Sequence, residues 1–142
     1  MALVNMRDLL YHAYHKHYAV GAFDIVSLEF LQGVLRGAEA SRAPVILNFV
    51  VTQFEHYDFE LLIAAAVAGA RRSPVPVALN LDHACDLDGV IRGIRHGCNG
   101  VMIDGSRLPF EQNVELTRAV VQAAHGCGIA VSRQTRSGVH PV

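Results

Sequence analysis

The sequence contains no tryptophan and only 3 cysteines in 142 residues. Cys85, Cys98 and Cys127 form no Cys-x-x-Cys pair. That excludes a disulfide scaffold and points to a reducing compartment. All three read best as small, near-buried residues. Charge is scarce too: 18% of residues are charged, and the formal net charge is −1. Without a basic excess there is no footprint for a phosphate backbone, so nucleic acid is not an expected partner. Small anions stay open, because backbone amides at helix starts bind them without net charge. Long apolar runs are also missing. The longest, Leu61 to Ala70, contains Gly69 and stops at Arg71-Arg72, which is too short to span a bilayer. The first residues, Met1 to Asp8, lack the pattern of a signal peptide. The cytoplasm is the expected location, with no membrane partner. No Gly-x-Gly-x-x-Gly, Walker loop or Gly-x-Ser-x-Gly elbow is present, which weakens dinucleotide, nucleotide and serine-hydrolase readings.

What the sequence does have is 51% hydrophobic residues, set in an alternating pattern. Met6 to His17 reads as a leading helix, and Tyr18 to Phe23 as a first strand. Ser27 can cap a helix running to about Ala40, with Leu28, Leu31, Val34, Leu35 and Ala38 at helical spacing. Pro44 opens the apolar run Val45 to Val51, as a strand buried on both faces requires. Asp58 can cap a helix from Phe59 to about Arg71. Val77 to Leu81 reads as a third strand, and Asp86 starts a helix to Gly97. Val101 to Ile103 reads as a fourth strand. A helix follows from Pro109 to His125, and Ile129 to Val131 starts a fifth strand.

Repeated β-then-α units imply parallel strands joined by crossover helices. The fold class is α/β, either an open doubly wound sheet or a closed barrel. A complete barrel of the TIM type takes roughly 250 residues, so this chain supplies about four to five βα units and leaves a barrel incomplete.

The most informative stretch is Leu79-Asn80-Leu81-Asp82-His83-Ala84. Asp82 and His83 stand where an apolar strand ends, the end at which parallel α/β folds carry their sites. A neutral imidazole there can bind a metal, and the carboxylate can move a proton. Spacing alone leaves open a blander role, with Asp82 capping the next helix. Asp104 has the same position after Val101-Met102-Ile103, so Asp82, His83 and Asp104 can converge on one pocket. Here too a turn is the alternative, because Asp-Gly-Ser is turn chemistry. His12, His15 and His17 read as a solvated helix end. His96 and His125 fall near helix C-termini, where imidazolium suits the dipole.

At these residues the chain resembles a known family, the class II, metal-dependent fructose-bisphosphate and tagatose-bisphosphate aldolases. The resemblance is carried in order by Tyr18 to Phe23, Pro44-Val45-Ile46-Leu47, Pro76-Val77-Ala78-Leu79, Leu81-Asp82-His83, Gly100 to Asp104, and Leu108 to Val114. It implies a (β/α)₈ barrel and a catalytic Zn²⁺ held by three histidines, of which His83 matches the first. It implies that Asp82 is the catalytic acid/base at the cleaved bond and that Asp104 belongs to a second cation site. The implied reaction is aldol cleavage of a ketose bisphosphate to dihydroxyacetone phosphate and an aldehyde. The implied partner is a small phosphorylated sugar; the resemblance assigns the glycine-rich phosphate loops and the other two zinc histidines to the second half of the barrel, and no substrate-binding residue of this chain is specified.

The departures are Asp24 for the family's usual Asn, Ala84 for Gly after Asp-His, and Ser106-Arg107 for the usual Ser-His. The likeness ends inside the fifth strand, at Ser132-Arg133-Gln134-Thr135-Arg136. Residues 1–131 therefore read as the N-terminal portion of the barrel, and 132–142 as a divergent tail. Such a break is what a frameshift, a premature stop or a gene-prediction cut leaves. The expectation is a chain inactive by itself, with an incomplete ligand set. An open inward face, expected to be apolar, and two open strand edges should favour self-association or a completing partner. A metal- or sugar-phosphate-binding module is the alternative.

Overall fold

A computed structural model describes residues 3–134; the outer part of the expected tail, 135–142, lies outside them. The elements alternate strictly. They are α1 (Met6–His15), β1 (Gly21–Asp24), α2 (Leu28–Ser41), β2 (Val45–Val50), a 3₁₀ turn (Val51–Gln53), α3 (Phe59–Arg72), β3 (Val77–Ala84), α4 (Leu87–His96), β4 (Gly100–Asp104), α5 (Phe110–Gly126) and β5 (Ala130–Gln134). All strand pairs are parallel, in the order β1-β2-β3-β4-β5.

Three expected caps form. Ser27 Oγ accepts from Phe30 N at 3.2 Å, Asp58 Oδ1 from Leu61 N at 3.1 Å, and Asp86 Oδ1 from Gly89 N at 2.7 Å. Each satisfies an N–H that the first turn of a helix leaves orphaned. Gly97 ends α4 at φ 112°, which a residue with a Cβ rarely adopts.

Alternation along the strands sorts side chains to two faces. Val45, Leu47 and Phe49 of β2, Val77, Leu79 and Leu81 of β3, and Val101 and Ile103 of β4 pack in one core with Ile63, Ala66, Val90 and Val120 from the helices. Fully burying one such Leu or Val contributes about 1.5–3 kcal/mol, so this face carries most of the stability.

The other face is the inward one, and it differs from expectation. Its lower half is apolar but covered. Met6 and Leu9 of α1 pack on Ile46 and Ala78 in a small second cluster. The N-terminal segment is tied there as well: Val4 N donates to Val77 O, Asn99 Nδ2 to Val4 O, and Asn5 Nδ2 to Gly128 O. The upper half is polar, with Asp24, Asn48, Asn80, Asp82 and Asp104 at the alternate positions. The inward face is therefore not an apolar surface throughout: α1 covers its lower half, and its upper half is mostly polar, with Ala22 and Val50 as apolar positions.

Two boundaries move. Tyr18 to Val20 is not strand: His17 at φ 56° turns the chain out of α1, and Tyr18 N bonds Ala13 O. β3 runs on to Ala84, so Asp82 and His83 lie within the strand, just ahead of its last residue. The expected open edge is present at β1, whose four residues are all exposed.

Candidate functional site at the C-terminal strand ends

A bulge builds the site. β3 pairs with β4 at Leu81↔Val101 and again at Ala84↔Ile103, so β3 spends one more residue than its neighbour. The extra residue lets Leu81 and Ala84 both stay in the core, while Asp82 and His83, adjacent in sequence, are both freed from it. A regular strand would send them to opposite faces. The cost is visible at His83, whose φ is 54°. A non-glycine residue there costs on the order of 1–3 kcal/mol and persists where surrounding structure enforces it.

Asp104 does the enforcing. His83 Nδ1 lies 2.9 Å from Asp104 Oδ2, which fixes the imidazole and leaves Nε2 as the free nitrogen. Oδ1 of Asp104 accepts from Ser106 N at 3.0 Å. The expected turn and the expected site residue are thus the same group. Burial pushes the Asp104 carboxyl up, but hydrogen bonds from Ser106 and His83 outweigh it and leave the group below its ordinary range. Asp82 is opposite in sign. Burial holds its carboxyl above the ordinary range; His83 opposes this, and the negative charges of Asp24 and Asp104 add to it. Asp86, not Asp82, caps α4, so the helix-cap role is taken elsewhere.

His83 and Asp104 line a cleft of about 400 Å³ together with Val50, Thr52, Cys85 and Arg107. Asp82 is not among the residues that line it; it pairs with Val50, which is. Below lies a polar rung: Asn80 Nδ2 donates to Asn48 Oδ1 at 3.2 Å, and Asn48 Nδ2 to Asp24 Oδ1 at 3.4 Å. Asn80 Oδ1 is buried without a hydrogen-bond partner among the described residues, a costly state for a polar atom. Asn48 and Asn80 were not singled out from sequence. The signal was there, since Pro44-Val-Ile-Leu-Asn48 and Pro76-Val-Ala-Leu-Asn80 place an Asn at the same step of two apolar runs.

The cysteines do not share one role. Cys98 is buried and its thiol is pushed up to about 12 by burial, whereas Cys85 and Cys127 are exposed. Cys85 follows the end of β3 and Cys127 the end of α5.

Zinc can be tested against these donors. Among the described residues no three His, Cys, Asp or Glu side chains form a group able to hold a metal ion. A zinc site takes about three protein ligands, and its histidines are commonly oriented by a carboxylate on the second ring nitrogen. His83 with Asp104 fits one such corner; the set as a whole does not fit. Among the described residues no helix is long and apolar enough to cross a membrane.

Five parallel strands with intervening helices and a polar cluster at the carboxyl ends define a partial barrel of the (β/α) enzyme type. The sequence matches the family described as fructose-bisphosphate aldolase class-II over residues 4–133, and the chain belongs to that family. It is 39% identical over 132 residues to the fructose-bisphosphate aldolase of Thermus caldophilus, covering 93% of this chain and 43% of that protein. It is 36% identical over 137 residues to that of Geobacillus stearothermophilus, covering 94% and 48%. The crystal structure of the YdjI aldolase from Escherichia coli K12 superposes with a TM-score of 0.88 at 33% identity, covering 92% of this chain and 51% of that one. The chain spans about half the length of the curated relatives it matches.

Proposed function

We propose that the chain carries the acid/base portion of a class II aldolase site, acting on a small phosphorylated sugar in the cytoplasm. The observation that supports it most is the bulge that frees Asp82 and His83 together, beside Asp104. Asp82 is the group that moves a proton at the hydroxyl of the cleaved carbon–carbon bond. A carboxyl raised by burial is brought nearer the pH at which it both takes and gives a proton. His83 offers one pre-oriented imidazole nitrogen as a metal ligand. Asp104 orients it, and the remaining lone pairs of the carboxylate stay open to a second cation. A zinc ion held by a full set of ligands would polarise a ketone; this chain contributes one corner of that set. Residues up to Gln134, where β5 ends, serve as the barrel portion, so its boundary falls beyond the expected one at 131.

The test joins residues 3–131 to the second half of the Thermus caldophilus relative. Zinc-dependent cleavage of fructose 1,6-bisphosphate is expected, falling by about 10²–10⁴-fold in Asp82→Ala with zinc retained. A folded, zinc-loaded hybrid without cleavage, or an Asp82→Ala hybrid as active as its parent, overturns the reading and favours a binding module. The chain alone should cleave nothing. Its exposed β1 edge should also make it self-associate. Light scattering after size exclusion checks this, and a clean monomer at low micromolar concentration counts against it.

A further inference from the structure

Among the described residues that line the cleft, Arg107 is the charged one that neither the polar network nor the proposed proton chemistry uses. It lies on the cleft wall with His83, Asp104, Cys85 and Thr52. Its guanidinium makes no ion pair or hydrogen bond among the described residues. Asp104, the nearest acid in sequence, is engaged by His83 Nδ1 and Ser106 N and forms no ion pair with Arg107 among the described residues.

The loop that presents Arg107 is well held. Ser106 N bonds Asp104 Oδ1, and Leu108 N donates to Gly105 O at 3.0 Å. Gly105 lies against the side chain of the buried Asn113, in a space that a Cβ would fill. Asn113 in turn donates to Gln134 O and accepts from Thr117. The loop is thus pinned to α5 and β5 at its base, and the arginine projects from a fixed support.

The charge pattern gives the arginine a direction. Three carboxylates, Asp24, Asp82 and Asp104, occupy the C-terminal ends of β1, β3 and β4. Only Asp104 of the three lines the cleft itself, so an anionic ligand is repelled from the strand ends and attracted to the unpaired cation on the wall. A guanidinium also matches the oxygens of a phosphate or carboxylate in a two-pronged hydrogen bond.

We propose that Arg107 is a specificity-determining residue that binds one anionic end of the sugar substrate, a phosphate in the first instance. Identification of the anion as substrate rests on the aldolase reading; the binding of an anion at Arg107 does not.

The thiols provide a reporter. Cys85 is exposed in the same cleft, Cys127 is exposed elsewhere, and Cys98 is buried. Alkylation of Cys85 by neutral iodoacetamide is followed by mass spectrometry with the intact chain, in chloride of constant ionic strength. Inorganic phosphate and fructose 1,6-bisphosphate should each slow Cys85 several-fold while leaving Cys127 unchanged, and fructose should protect neither. Arg107→Gln, at an exposed position, should fold normally and lose the protection. Protection that survives Arg107→Gln, or no protection by phosphate, overturns the proposal. Protection by phosphate but not by the bisphosphate overturns its assignment to substrate. Because the assay needs neither metal nor turnover, an inactive hybrid with intact phosphate protection refutes the aldolase reading alone.

Discussion

The lower and upper halves of the inward face are built from the same strands yet obey different rules. Below, Met6 and Leu9 press on Ile46 and Ala78, and the segment ahead of α1 has its backbone bonded to β3 and the β4 approach. Above, Asn80 keeps a buried oxygen unpartnered among the described residues, His83 holds a positive φ, and Asp82 carries a raised carboxyl. Each of these upper features costs stability. Strain and unmet polar groups concentrate where a protein does chemistry, while the opposite end of a barrel reads as structure. The comparison assigns the two ends without reference to any relative.

The contrast can be broken from either side. The largest effect should come from below: Leu9→Ala removes a side chain that is 6% exposed and should cost about 2–5 kcal/mol in urea unfolding. A loss under about 1 kcal/mol would mean that α1 collapses onto the strands or contributes little, and the closed lower end would be an overstatement.

The smaller effect comes from above and has the opposite sign. Asp82 has a folded-state pKa above its unfolded value. Its contribution to stability is therefore fully present below the unfolded pKa and is lost as pH rises through the folded one. Asp82→Asn should leave stability unchanged in acid and raise it slightly at neutral pH. Unfolding midpoints measured at acid and neutral pH check this. A variant less stable than the parent at neutral pH would show that Asp82 supports the fold rather than straining it.

Much of this division was legible in the sequence. Caps at Ser27, Asp58 and Asp86 were readable because each sits one residue ahead of an amphipathic run. The apolar runs from Val45 and Val77 declared parallel, doubly covered strands. Asp82, His83 and Asp104 were visible as polar residues where such runs stop. The bulge was not, because a doubled step on β3 is defined only by its pairing with β4. Nor was the covering of the lower inward face by α1, a tertiary contact between a helix and strands far along the chain. The expectation of an apolar open interior failed for that reason, and also because Asn48 and Asn80 were counted within apolar runs rather than as a paired rung. The exposure of Cys85 and Cys127 was equally a matter of which helix ends nearby.

The sequential order of the sheet also sets a timetable. Each strand pairs with the next one made, and the linking contacts are short in sequence: Leu79 bonds Asn99, 20 residues on, and Asn80 bonds Asn48, 32 residues back. A chain emerging from a ribosome can therefore add one βα unit at a time as each is completed. The ties at the lower end are the exception. Val4 waits for Asn99, 95 residues later, and Asn5 for Gly128, 123 residues later. The segment ahead of α1 is thus made well before the residues that fasten it, and it acts as a latch that records the arrival of β4 and β5.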